Sequence, residues 1–102
     1  MIKHIVMWKF ADSAEGRTRE ENLELVAGKL KALYSSGKIA GLRSLEIGMD
    51  VSRTEMSYDM ALITVFDSPE CLEAYRVHPD HVVISQYVKK VRTARATVDF
   101  EI

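Results

Sequence analysis

Three histidines, four tyrosines and a single cysteine carry most of the reactive side chains in this chain. Of these, His81 has the placement best suited to acid–base chemistry. A helix is expected to start at Pro79, since a proline at the first helical position gives up no hydrogen bond. Its apolar stripe runs through His81, Ile84, Ser85, Val88 and Val91. The partial positive charge of a helix N-terminus disfavours imidazolium, as does burial. A neutral histidine can accept a proton near pH 7, which suits a general base. The same position also suits a buried histidine held by one partner in a purely structural role.

His4 alternates with Val6 and Trp8 and is expected to face the helices. If the last strand lies beside the first, Asp99 reaches its neighbourhood, because Arg95, Thr97 and Asp99 share one strand face. The break at His78-Pro79 lets the segment carrying Tyr75 turn toward the same space. A cluster of His4, Tyr75, His81 and Asp99 inside an apolar interior needs hydrogen bonds among its members. Such a network either orients the helices on the sheet or lines a pocket.

Other chemistries have weaker support. His78 and His81 are three residues apart, a spacing that can fit a metal. Pro79 lies between them and no carboxylate or cysteine completes a ligand set, so no metal site is expected and His78 is read as a helix cap. Cys71 falls in the first turn of a helix, where a thiolate is favoured, but no histidine stands at a supporting spacing and packing is the expected role. The chain shows neither a glycine-rich phosphate loop nor a Ser-His-Asp arrangement, and no cofactor is expected.

The elements that must position these groups follow from periodicity. Residues 2–10 alternate with period two and read as a strand, apolar on both faces. Ala11 to Arg17 reads as a polar loop. Thr18 opens a helix, with Glu21 placed for a capping box, and Leu23, Val26, Ala27, Leu30, Leu33 and Tyr34 form its stripe. Gly37 suits the left-handed position that ends it. Gly41 to Asp50 is expected to be a strand with Leu45 and Ile47 on one face and Leu42 and Glu46 on the other. Tyr58 to Phe66 is a third strand. Ser68-Pro69 starts a helix that runs to about Val77, a second piece follows from Pro79, and Ala94 to Ile102 is the last strand.

The order β-α-β-β-α-β implies an α+β fold: a four-stranded antiparallel sheet with the helices on one face. Its other face is also apolar, gathering Ile5, Met7, Ala61, Ile63, Val65, Val98 and Phe100. A patch of that size marks an interface, and a symmetric homodimer packed sheet to sheet would bury it.

The bulk numbers agree. With 102 residues, 47% hydrophobic and 28% charged, the chain is sized for one globular domain, residues 1–102, rather than for two or for a disordered segment. A net charge of −1 attracts neither nucleic acid nor an anionic membrane, so neither is an expected partner. A lone cysteine demands no oxidising compartment, no signal peptide is seen at Met1-Ile2-Lys3-His4, and a cytoplasmic location is expected.

Several motifs resemble the stress-responsive A/B barrel family. They are Lys3-His4-Ile5-Val6 with Lys9-Phe10, Thr18 to Asn22, Ile39-Ala40-Gly41-Leu42, Leu45-Glu46-Ile47-Gly48, Tyr58-Asp59, Phe66-Asp67-Ser68-Pro69-Glu70, Tyr75 with His78-Pro79-Asp80-His81, and Val98-Asp99-Phe100. The Tyr75 to His81 segment is the most specific. The resemblance implies a ferredoxin-like unit that dimerises through its sheet into a dimeric α/β barrel. One characterised member is a plant polyketide cyclase whose histidine base corresponds to His81, whose substrate-holding tyrosine corresponds to Tyr75, and whose further pocket histidine corresponds to His4. By this resemblance His81 and Tyr75 are the expected catalytic residues, with His4, Val6, Trp8, Leu30 and Asp99 around the substrate. Leu23, Val26 and Leu30 stand where that cyclase carries larger aromatic residues, and the region between the first two strands is longer, which argues against its substrate. The expected function is a homodimer whose intrasubunit pocket binds or processes a small organic molecule. The alternatives are a non-catalytic structural protein and a cofactor-free monooxygenase-like enzyme.

Overall fold

The computed structural model describes all residues from Met1 to Ile102. Strand β1 (Ile2–Phe10) leads into a short hairpin, β2 (Ser13–Ala14) and β3 (Arg17–Thr18). Helix α1 (Arg19–Ser35) follows, then β4 (Leu42–Met49), β5 (Met60–Phe66), α2 (Pro69–Val77), α3 (Pro79–Val91) and β6 (Arg92–Glu101). The four long strands form an antiparallel sheet in the order β4-β5-β1-β6. This is the ferredoxin-like α+β arrangement, with the helices on one face.

The local reasons for these elements lie in their caps. Thr18 Oγ1 accepts the Glu21 N–H at 3.2 Å while the Glu21 carboxylate accepts the Thr18 N–H at 2.8 Å. Two orphan donors at the start of α1 are thus satisfied reciprocally. Gly37, at φ +70°, takes the left-handed conformation just after the helix. Ser68 caps α2 by accepting the Cys71 N–H at 3.2 Å, with Pro69 at the first helical position. His78, in extended conformation, closes α2 and also caps α3, its Nδ1 accepting the Asp80 N–H at 3.1 Å.

The core lies between sheet and helices. Val6, Trp8 and Phe10 of β1 and Met60, Leu62 and Phe66 of β5 supply the sheet side. Leu23, Val26, Leu30 and Leu33 of α1 cover them, joined by Leu72 of α2 and Ile84 and Val88 of α3. Gly41 turns the chain into β4 at φ +78°, and a Cβ there would lie 2.9 Å from Cys71 Cβ. That close approach leaves no room for a side chain and accounts for Cys71 as a packing residue.

Several expectations need correction. The stretch Ala11 to Arg17 is not a plain loop: Glu15 and Gly16, both at positive φ, form the tight turn of the β2–β3 hairpin. Such a turn matches the twist of the flanking strands. Leu42 packs against the core rather than on the opposite face, because the β4–β5 register shifts between Leu42 and Ser44 and flips the alternation. Tyr34 is 39% exposed and off the core stripe, its hydroxyl donating to the Arg43 carbonyl at 3.3 Å. β5 begins at Met60 rather than Tyr58, and β6 begins at Arg92 rather than Ala94.

The face of the sheet turned away from the helices is apolar across three strands. Ile5 lies between Ile63 and Val98, and Met7 between Ala61 and Ala96. Phe100 and Val98 remain 42% and 53% exposed, with no layer over them. No helix is long and apolar enough to cross a membrane.

Leu23 tests the packing of α1 on the sheet. Leu23→Ala should destabilise the fold by about 2–5 kcal/mol, as other large-to-small core changes do. Urea unfolding that moves by less than about 1 kcal/mol would show that α1 stands off the core.

Candidate functional site

Strand alternation turns His4, Val6 and Trp8 toward the helices. The antiparallel partner β6 pairs His4 with Asp99, Val6 with Thr97 and Trp8 with Arg95. Each of these β6 residues therefore points to the same side as its partner. β6 is an edge strand, and its helix-facing side chains from Arg95 to Asp99 remain exposed. Between this strand, β1 and the α2–α3 pair lies a cavity of about 420 Å³.

His4 is 4% exposed, and its Nδ1–H donates to Asp99 Oδ1. The other oxygen of Asp99 accepts from Arg76 Nη2 at 3.1 Å. The carboxylate thereby ties β1 and β6 to α2. A carboxylate on Nδ1 fixes the orientation of an imidazole.

The extended His78 between α2 and α3 brings two rings together. Tyr75, near the end of α2, and His81, in the first turn of α3, lie with centroids 4.0 Å apart and planes 38° from parallel. Phe66 backs Tyr75 at 5.1 Å. His81 Nδ1 meets the Arg76 carbonyl oxygen at 3.3 Å. A carbonyl only accepts, so Nδ1 carries the hydrogen and Nε2 keeps its lone pair. Burial pushes the imidazole below its ordinary range. The Arg76 carbonyl opposes this, while the positive potential of His4, Arg76 and Arg95 adds to it. Tyr75 is 3% exposed, and burial pushes its phenol up to about 12, so the hydroxyl keeps its proton.

Two buried polar atoms have no partner: Tyr75 Oη and Trp8 Nε1. Both residues line the cavity. An unsatisfied buried polar group costs about 1–3 kcal/mol, and two on one cavity wall call for a shared explanation. Val6, Leu30, Leu62, Ile84 and Val88 supply the apolar wall. Chemically, the space offers a neutral imidazole beside apolar surface, walled in part by the two residues that carry the unpartnered donors.

His4, Val6, Trp8, Leu30, Tyr75 and His81 thus line one cavity, while Asp99 stands behind His4 and holds it. Sequence reasoning missed the cations of the same wall, Arg76, Lys89, Arg92 and Arg95. A signal was present, since Lys89 follows His81 and Ser85 at i, i+4 spacing and Arg95 shares a strand face with Asp99. It also missed Asn22, which is fully buried and joins two elements: its Nδ2 donates to the Ala14 carbonyl at 3.1 Å and its Oδ1 accepts from the Tyr87 hydroxyl at 2.5 Å. No group of three or more His, Cys, Asp or Glu side chains is placed to hold a metal ion.

Comparison with known proteins supplies a family. The model of the Stress responsive A/B Barrel Domain matches residues 2–102. An uncharacterised protein of Streptomyces coelicolor is 32% identical over 81 residues, 79% of each chain. Among solved structures, a dimeric ferredoxin-like protein of unknown function from Thermobifida fusca superposes with a TM-score of 0.83 at 26% identity, covering 99% of this chain and 90% of that one. A dimeric protein of unknown function and ferredoxin-like fold from Bacteroides fragilis gives 0.78 at 29% identity, covering 99% and 95%. Hydroxynitrile lyase from Passiflora edulis, with a TM-score of 0.78 at 10% identity over 99% of this chain and 92% of that one, shares the fold alone.

His81 gives the cavity a pH signature. The fold disfavours its protonation and the unfolded chain does not. Below about pH 6.5, the ordinary imidazole value, the unfolded chain binds more protons. Stability therefore falls as pH drops from there through the lower value in the fold. His81→Gln should lose less stability than wild type between pH 7.5 and pH 5, read by urea unfolding. Equal losses would mean that His81 is as solvated in the fold as outside it.

Proposed function

This chain belongs to the stress-responsive A/B barrel family, and on that premise we propose that it is a homodimer whose subunits each bind, and process by acid–base chemistry, a small organic molecule in the cavity between helices and sheet. The observation that carries this reading is the pair of unpartnered donors, Tyr75 Oη and Trp8 Nε1, buried on the wall of one cavity. A ligand whose acceptor oxygens reached these two atoms would satisfy both. A protein whose only role is assembly has no use for an open space of about 420 Å³ with unsatisfied donors on its wall, since closing it would gain stability.

In this reading the roles divide by chemistry. His81 Nε2 takes a proton from the bound molecule, because the imidazole is neutral and its other nitrogen is committed to the Arg76 carbonyl. Tyr75 donates its hydroxyl to an oxygen on which negative charge develops. His4, held by Asp99, presents a second oriented imidazole. Leu30, Val6 and Trp8 shape the apolar part. The lone cysteine, Cys71, is free and needs no oxidising compartment, which supports a cytoplasmic location.

The dimer belongs to the same proposal. The dimeric relatives from Thermobifida and Bacteroides and the bare apolar face around Ile5, Ile63 and Val98 support pairing sheet to sheet. The cavity lies on the opposite side of the sheet, so each subunit keeps its own.

Two measurements test the reading. Fragments screened by two-dimensional NMR should produce hits that move the Trp8 indole and His81 resonances. His81→Ala should weaken those hits about tenfold, the loss of about one hydrogen bond, with the fold intact. Hits that cluster elsewhere, or a variant that loses stability with no change in binding, would overturn the role of the cavity. Separately, the double change Ile63→Asp and Val65→Asp should give monomers in sedimentation velocity, and an unchanged dimer would refute the sheet interface.

A further inference from the structure

The cavity has a polar lip of one sign. Lys89 from the end of α3, Arg92 at the junction with β6, and Arg95 on the helix-facing side of β6 all line it. None of the three makes an ion pair within the chain, although the protein as a whole carries a net charge of −1. The only carboxylate at this site, Asp99, is occupied by His4 and Arg76. Arg76 is itself satisfied, by Asp99 and by Glu73 at 3.8 Å. Desolvation holds the Arg95 guanidinium below its ordinary range, and the positive charges of Arg92 and Arg76 add to this while Asp99 opposes it.

A chain with 15 acidic residues could neutralise such a cluster internally, as it does for four cations away from the cavity: Arg19 pairs with Asp12, Arg43 with Asp67, Lys90 with Glu15 and Lys38 with Asp80. At the cavity it does not. The apolar wall of Val6, Leu30, Leu62, Ile84 and Val88 lies against this basic lip. The combination is that of a site for a molecule with an apolar body and an anionic head.

Resting on the reading of the cavity as a ligand site, we propose that its ligand is an organic carboxylate, with the apolar body against Leu30, Leu62 and Val88 and the carboxylate held by Arg92 and Arg95, aided by Lys89. Two planar guanidinium forks match a carboxylate bidentately, which a lone lysine does not. With the head fixed at the lip, the acceptor oxygens or acidic protons of the body come within the reach of the Tyr75 hydroxyl, the Trp8 N–H and His81 deeper in the cavity. The positive lip also lowers the cost of an anion formed when His81 removes a proton, because the field of Arg92 and Arg95 acts on both charges.

The test uses matched pairs of probes: benzoate, 4-butylbenzoate and octanoate against their methyl esters, titrated into the intact protein and followed by the Trp8 indole and arginine side-chain resonances. At least one acid should bind at least about tenfold more tightly than its ester, the scale of a charge-assisted hydrogen bond. Added salt should narrow the gap. Arg92→Gln and Arg95→Gln should each remove most of the difference for the acid and leave the ester unchanged. The ester arm controls for folding, since a misfolded variant loses both. Acid and ester binding equally well in the cavity would overturn the carboxylate proposal and leave the ligand site standing. Acids that bind outside the cavity, or an acid preference untouched by either arginine change, would also overturn it. If no probe of either kind binds, while neutral fragments still occupy the cavity, the anionic preference is wrong. If nothing at all binds there, the reading of the cavity falls and the proposal with it.

Discussion

The site depends on one interaction, the bond from the His4 imidazole to the Asp99 carboxylate. His4 is a buried polar group on the core face of a central strand, where an unpaired nitrogen is expensive. Asp99 meets that need from the neighbouring edge strand in register. The same carboxylate takes Arg76 from α2. Three elements are thus held around one group of oxygens, and the order in which the rest follows is physical. Arg76 is fixed by Asp99, its backbone carbonyl receives His81 Nδ1, and His81 then stacks on Tyr75. Loss of Asp99 would release both imidazoles in turn.

The second constraint is that a short sheet here carries two apolar faces. One is covered by α1, α2 and α3. The other, from Ile5 and Met7 across to Ile63 and Val98, is bare in the isolated chain. Within residues 1–102 no element packs over it. The helix side, by contrast, is incompletely filled near the edge strand, because the α2–α3 break turns the helices and leaves β6 partly uncovered. Interface and cavity therefore fall on opposite sides of the same strands, which allows each to change without disturbing the other.

Much of this was legible in the sequence, for reasons that differ by residue. Alternation alone puts His4 with Val6 and Trp8, and puts Asp99 with Arg95 and Thr97. The capping signals at Thr18, Ser68 and Pro79 set helix starts to within a residue, because the cap is a local hydrogen bond between near neighbours. What alternation cannot see is a shift of register. The irregularity between Leu42 and Ser44 reverses the face of Leu42, and nothing in the local residue types marks it. Asn22 and Tyr87 likewise look like polar surface positions, and only the packing of α1 against α3 and the hairpin makes their hydrogen bond a buried one. The cationic lip escaped because each of its members is ordinary for its element. Its meaning comes from where its members meet, on the rim of one cavity beside an apolar wall, and that meeting is a property of three dimensions.

The chemistry of the site depends on His81 being a neutral imidazole with its hydrogen on Nδ1 and a free lone pair on Nε2. Long-range nitrogen–proton NMR of the histidine rings reads this directly. At pH 7.5 the ring of His81 should show the neutral tautomer protonated at Nδ1, with Nε2 at the shift of an unprotonated nitrogen, and Asp99→Asn should disturb it although Asp99 does not touch it. A His81 ring protonated on both nitrogens at that pH, or in the opposite tautomer, would contradict the account.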